Sequence, residues 1–193
     1  MKNEEVLEIF KKTGAMLEGH FILTSGFHSP HYFQCAKVLQ YPEYNQLFAS
    51  EIAVKFKDKN IDVVITPAVG GIVFGTEVGR QLNARTIFSE RENGVMTLRR
   101  GFEISKGEKV LVCEDVVTTG GSVFEVIELV KNSGAELSGV GFIVDRSNGK
   151  VNFGTDQFCL ATAEVIKFSE NEIPEWLEKI PVTKPGSRAL KDN

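Results

Sequence analysis

Residues 110–122, V-L-V-C-E-D-V-V-T-T-G-G-S, decide how the rest of the 193-residue chain is read. Val110, Leu111, Val112 and Cys113 form a continuous apolar run rich in β-branched residues, the pattern of a strand buried on both faces of a parallel sheet. Two adjacent carboxylates, Glu114 and Asp115, are expected to end that strand, at the carboxyl edge where open α/β folds bind their ligands. Thr118, Thr119, Gly120, Gly121 and Ser122 follow, and Val123, Val126, Ile127, Leu129 and Val130 then mark an amphipathic helix. Glycines let backbone N–H groups approach an anion, the hydroxyls add donors, and the helix amino terminus contributes positive dipole. Such a turn suits a phosphate. Acids placed directly before it would repel a phosphate unless they serve another part of the same ligand, and the hydroxyls of a sugar phosphate meet that demand.

Working outward, Ile61 to Thr66 is a second buried strand, followed by P-A-V-G-G-I-V-F-G. Gly70 and Gly71 open a helix carrying Ile72, Val73, Phe74, Val78 and Leu82; the spacing fits neither a dinucleotide fingerprint nor a Walker loop. Thr86 to Phe88 suggests a further strand, leading into S-E-R-E-N-G-V-M-T-L-R-R-G-F with Arg91, Arg99 and Arg100. That polar segment reads as a mobile cationic loop or as a solvated hairpin turning at Asn93-Gly94, and the two readings are compatible. Leu137 to Val144 is another apolar run, ending in Asp145 and Arg146. As a neighbouring parallel strand it brings Arg146 to the same sheet edge, where a guanidinium can hold a carboxylate by two parallel hydrogen bonds. The bland alternative is a local Asp145–Arg146 ion pair.

Residues 4 to 17 read as a helix with Val6, Leu7, Ile9, Phe10 and Leu17 on its apolar side, and residues 43 to 57 as a second. Between them, G-H-F-I-L-T-S-G-F-H-S-P-H-Y-F-Q places turn residues among short apolar runs, as in a small hairpin beside the main sheet. His28, His31 and Cys35 raise the question of a metal site, but Pro30 disfavours a helix that would put both histidines on one face. Near the carboxyl end, Phe158 to Ile166 suggests a strand and Pro174 to Leu177 a helix stopped by Pro181.

Composition sets the outer bounds. The length suits one α/β domain, residues 1–193, with a small accessory part, and 42% hydrophobic content is ordinary for a globular protein. No apolar run approaches the ~20 residues of a membrane helix, and the amino terminus lacks a secretory stretch, so a cytoplasmic protein without membrane contact is expected. Cys35, Cys113 and Cys159 suggest neither a disulfide framework nor a zinc site. A net charge of −4 argues against general nucleic-acid binding.

The run E-D-V-V-T-T-G-G-S resembles the phosphoribosyl pyrophosphate (PRPP) signature of type I phosphoribosyltransferases, and its T-T-G-G-S form is similar to the orotate branch of that family. The resemblance implies a mainly parallel sheet flanked by helices, with a small hood from about 18–40 plus carboxyl-terminal contributions. It implies transfer of ribose 5-phosphate from PRPP to orotate, giving orotidine 5′-monophosphate and pyrophosphate in pyrimidine (UMP) synthesis. In this reading Glu114 and Asp115 hold the ribose hydroxyls, and Val116, Val117, Thr118, Thr119, Gly120, Gly121 and Ser122 enclose the 5-phosphate. Thr118 also touches orotate, Arg146 holds its carboxylate, and Phe33 or Tyr32 of the hood stacks on the ring. The loop after Thr66 binds pyrophosphate, and Arg91, Arg99 and Arg100 cover it as it leaves. Mg²⁺ is expected, held mainly by PRPP rather than by protein ligands, and a homodimer is implied. Two departures stand out: the branch commonly carries a lysine where this chain has Thr24, and lysines and a histidine where this chain has only arginines between residues 85 and 105. A purine-specific transferase and a nucleic-acid-binding PRPP sensor are the competing readings; the T-T-G-G-S form and Arg146 argue against the first, the lack of a DNA-binding helix pair against the second.

Overall fold

The computed structural model describes residues 1–23, 26–163 and 166–184. The chain begins with α1 (Asn3–Lys12), where the Glu5 carboxylate accepts the Lys2 N–H at 2.7 Å and so satisfies one free amide of the first turn. The helix is shorter than its periodicity predicts. Gly14 takes the left-handed conformation, at φ +64°, and ends it, so Leu17 lies in strand β1 (Met16–Ile22) instead of on the helix. There follow β2 (His28–Phe33), α2 (Ala36–Leu39), α3 (Pro42–Phe56), β3 (Val63–Pro67), α4 (Ile72–Leu82), β4 (Arg85–Glu92) and β5 (Val95–Leu98). The remaining elements are β6 (Lys109–Val117), α5 (Gly121–Asn132), β7 (Glu136–Asp145), β8 (Gln157–Thr162), α6 (Glu175–Glu178) and β9 (Val182–Thr183).

Six strands form the main sheet in the order β5-β4-β3-β6-β7-β8. All neighbours run parallel except β5, which returns antiparallel along β4 through Asn93 and Gly94, both at positive φ. The continuous apolar run of β6 is explained by its two covered faces. Leu111 and Cys113 enter the core with Phe48 and Ile52 of α3 and Phe74 of α4, while Val110 and Val112 enter the core with Val126 and Ile127 of α5. Strand order reverses between β3 and β6. The connections leaving those two strands therefore depart to opposite faces, α4 on one and α5 on the other, and open a crevice at their carboxyl ends.

A second, three-stranded sheet, β2-β1-β9, stands apart from the first as a hood built from the amino-terminal hairpin and the carboxyl-terminal strand. Two buried imidazoles help to join its parts: His20 Nε2 lies 2.6 Å from His28 Nδ1, and His20 Nδ1 lies 3.2 Å from the Ile180 carbonyl. A carbonyl can only accept, so with neutral rings the hydrogen bonds assign a proton to His20 Nδ1 and make His28 the donor to His20. Among the described residues no three His, Cys, Asp or Glu side chains converge as a metal site. No described helix is long and apolar enough to cross a membrane.

Candidate active site

The acid pair sits at the crevice, although β6 does not end there: it runs on to Val117, pairing Val116 with Val144 and Val117 with Asp145. Glu114 is buried, and Asp115 is partly so. Asp115 N–H donates to Glu114 Oε1 at 3.1 Å, and Val116 N–H donates to Asp115 Oδ1 at 2.9 Å, which fixes both carboxyls against their own strand. Burial, then repulsion from Asp115, holds the Glu114 carboxyl well above the ordinary carboxylate range. The pair thus resists carrying two full charges, which eases the placing of a phosphate beside it.

The turn leaving β3 closes over the same acids. A Cβ on Gly70 would lie 2.7 Å from Asp115 Oδ2, and one on Gly71 would lie 3.2 Å from Glu114 Oε1. Only glycine lets this backbone rest on the carboxylates. The contact joins residues 45 positions apart and is invisible to a motif scan. After β6, Thr118 and Thr119 are exposed, and Gly120 precedes α5 at φ +76°. A Cβ on Gly120 would come within 2.9 Å of Phe153 and of Val151, so both conformation and space demand glycine here. No side chain caps the first turn of α5, leaving its N–H groups directed at the position predicted for a phosphate.

Arg146 follows β7 one residue beyond the Val117–Asp145 pairing, so the guanidinium arises at the same edge as the acids. Its neighbour does not neutralise it. The Asp145 carboxylate instead accepts the N–H groups of Ser147 at 2.6 Å and Gly149 at 2.9 Å, so the local ion pair considered above is not formed. Among the described residues no acid pairs with Arg146, and its Nε is buried without a hydrogen-bond partner. Burial lowers its pKa from the ordinary value, against the opposing influence of Tyr32 and Cys35. An unpaired, partly desolvated guanidinium is a site prepared for an anion.

The two hood aromatics have different neighbours. Phe33 is only 6% exposed and packs on Phe10, with the Arg146 guanidinium 5.6 Å above its ring. Tyr32 is half-buried and packs on Phe21 instead. Its hydroxyl is pushed up by burial, opposed by Arg146, which places it in the site's electrostatic neighbourhood. The arginines lie on the β4–β5 hairpin and the turn after it, and none is brought onto the acid pair. Arg91 pairs with Glu125 of α5 at 2.7 Å, Arg99 with Glu92 at 3.4 Å, and Arg100 with Glu90 at 2.7 Å. Thr24, at the position of the missing lysine, lies outside the described residues.

Residues 40–168 match the family described as Phosphoribosyl transferase domain. An orotate phosphoribosyltransferase from Chlorobium phaeobacteroides is 58% identical over 189 residues, covering 98% of each chain. Another from Caldanaerobacter subterraneus is 56% identical over 190 residues, covering 98% of this chain and all of its own. The chain belongs to the orotate phosphoribosyltransferase family. A solved orotate phosphoribosyltransferase from Aeropyrum pernix superposes with a TM-score of 0.68 at 24% identity, covering 81% of this chain and 93% of that one. An adenine phosphoribosyltransferase from Rhodothermus marinus superposes equally well, at 0.68 and 19% identity, covering 83% of this chain and 100% of that one. The fold alone therefore does not choose the base.

Proposed function

We propose that this crevice transfers ribose 5-phosphate from PRPP to orotate, releasing pyrophosphate, and that Arg146 chooses the base by its carboxylate. The observation that carries the reading is the partly buried guanidinium without an acid partner among the described residues, at the same sheet edge as Glu114, Asp115 and the phosphate turn. Adenine and hypoxanthine offer no carboxylate to such a group. Orotate does, in the planar bidentate form that arginine matches best.

In this reading the Thr118–Ser122 turn and the start of α5 hold the 5-phosphate. Glu114 and Asp115 accept the ribose hydroxyls, and the Gly70–Gly71 backbone faces the pyrophosphate. Substitution at C1 passes through oxocarbenium character, with N1 of orotate attacking as the C1–oxygen bond to pyrophosphate breaks. The protein then acts chiefly by positioning and by fixed charge. The ion pairs of Arg91, Arg99 and Arg100 are exposed and screened by water, so a highly charged pyrophosphate can displace the glutamates and draw these arginines over itself. Mg²⁺ fits this site as an ion carried by the substrate: the Glu114 and Asp115 carboxylates are oxygen donors of the kind it takes, and the phosphates and water would supply most of its oxygens. Bound there, it would supply charge neutralisation to the leaving pyrophosphate. A cytoplasmic homodimer completes the proposal, tested for assembly by sedimentation.

Steady-state kinetics of Arg146→Ala test the assignment. The orotate KM should rise about a hundredfold or more, as expected when a charged hydrogen-bonding partner is lost, with the PRPP KM unchanged. An unchanged orotate KM would remove Arg146 from the site.

A further inference from the structure

Phe33 is buried, and its ring lies against the residue on which base choice depends. Three aromatic rings form a column from the core to the crevice. Phe48 of α3 stacks on Phe10 of α1 at 6.0 Å and 29°, Phe10 packs on Phe33 of β2 at 5.7 Å, and the Arg146 guanidinium lies 5.6 Å over Phe33. Phe10 and Phe48 are fully buried, so the column is anchored in the part of the molecule least free to move. A guanidinium grips a carboxylate with two parallel bonds only when its plane is correctly set. An acid partner would fix that plane, and Arg146 has none among the described residues. The electron-rich face of Phe33 supplies attraction to the cation without consuming any of its N–H donors, so the donors stay available to a ligand.

We propose that Phe33 is a positioning residue: its ring orients Arg146 before substrate arrives, and it acts on orotate only through that guanidinium. The inference rests on the orotate-clamp reading of Arg146. It joins the hood strand β2 to the substrate preference of the main sheet.

The test replaces Phe33 by mono-, di- and trifluorophenylalanine, which drain the ring face of negative charge while keeping its shape, in the native and the Arg146→Ala backgrounds. With Arg146 present, the orotate KM should climb stepwise with fluorination, by about threefold to thirtyfold in all, while the PRPP KM stays level. In the Arg146→Ala background the dependence on fluorine should vanish. A flat series with Arg146 present, or equal slopes in both backgrounds, would overturn the inference, the second by showing that the ring acts on the base itself. Thermal unfolding of each variant separates loss of fold from loss of binding. If Arg146→Ala alone left the orotate KM unchanged, the clamp reading would fail and take this inference with it. A raised KM in Arg146→Ala beside a flat fluorine series would sink the inference alone.

Discussion

Replacing Gly70 by alanine perturbs the contact that joins the two halves of the crevice. The added Cβ would stand 2.7 Å from Asp115 Oδ2, 0.7 Å short of the 3.4 Å at which ordinary contact begins, and 3.1 Å from the Asp115 carboxyl carbon. Asp115 is a short side chain whose Oδ1 is already held by the Val116 N–H at 2.9 Å, so it cannot swing aside without giving up that bond. A displacement of this size takes a carboxylate–hydroxyl hydrogen bond outside its useful range, and a hydrogen bond to a charged group is worth about 1.5–3 kcal/mol. At 1.4 kcal/mol per factor of ten, kcat/KM for PRPP should fall about tenfold to a hundredfold. The assay is the initial rate at saturating orotate with PRPP varied, alongside calorimetric PRPP binding. Gly71→Ala is the graded control. Its nearest neighbours would be Glu114 Oε1 and the Thr66 Cβ, both at 3.2 Å, and its backbone is already helical, so the loss should be severalfold at most. A folded Gly70→Ala protein with native PRPP kinetics would refute the placing of Asp115 against the ribose.

Glu114→Gln should stabilise the free protein while weakening PRPP binding. Because the folded carboxyl titrates above its unfolded range, its favourable contribution is complete below about pH 4 and is lost as the pH rises through the folded value. Glutamine does not titrate, so the variant's gain in Tm should grow from acid to neutral pH; a gain independent of pH in calorimetric scans would show that the surroundings do not raise the Glu114 carboxyl above its ordinary range. Asp145→Ala removes the charged acceptor of the Ser147 and Gly149 amides and should cost about 1–3 kcal/mol, a fall in Tm of roughly 2–10 °C. An unchanged Tm would mean that water replaces the carboxylate without loss.

The central strand and its turn are legible in the sequence because burial on both faces, the acid pair and the glycine-hydroxyl turn are all local signals. β6 nevertheless outruns its apolar stretch: pairing of Val116 and Val117 with β7 carries the acids inside a strand that their own propensity would end. Leu17 was drawn to the helix by its period, and the left-handed Gly14 overrode that. For adjacent aromatics such as Tyr32 and Phe33, a strand sends one to each face, and the sequence does not say which face is the core. The glutamate partners of the three arginines include Glu125, 34 residues from Arg91, a pairing set by the packing of the hairpin on α5. Gly70 against Asp115 is likewise a product of the reversal in strand order.

The most direct test of the whole account is the change in orotate absorbance when the protein is mixed with PRPP and Mg²⁺, with uracil, adenine and hypoxanthine run in parallel. Turnover of orotate alone is the predicted result. Turnover of a purine in its place, or PRPP binding without turnover of any base, would contradict the assignment of this crevice to orotate transfer.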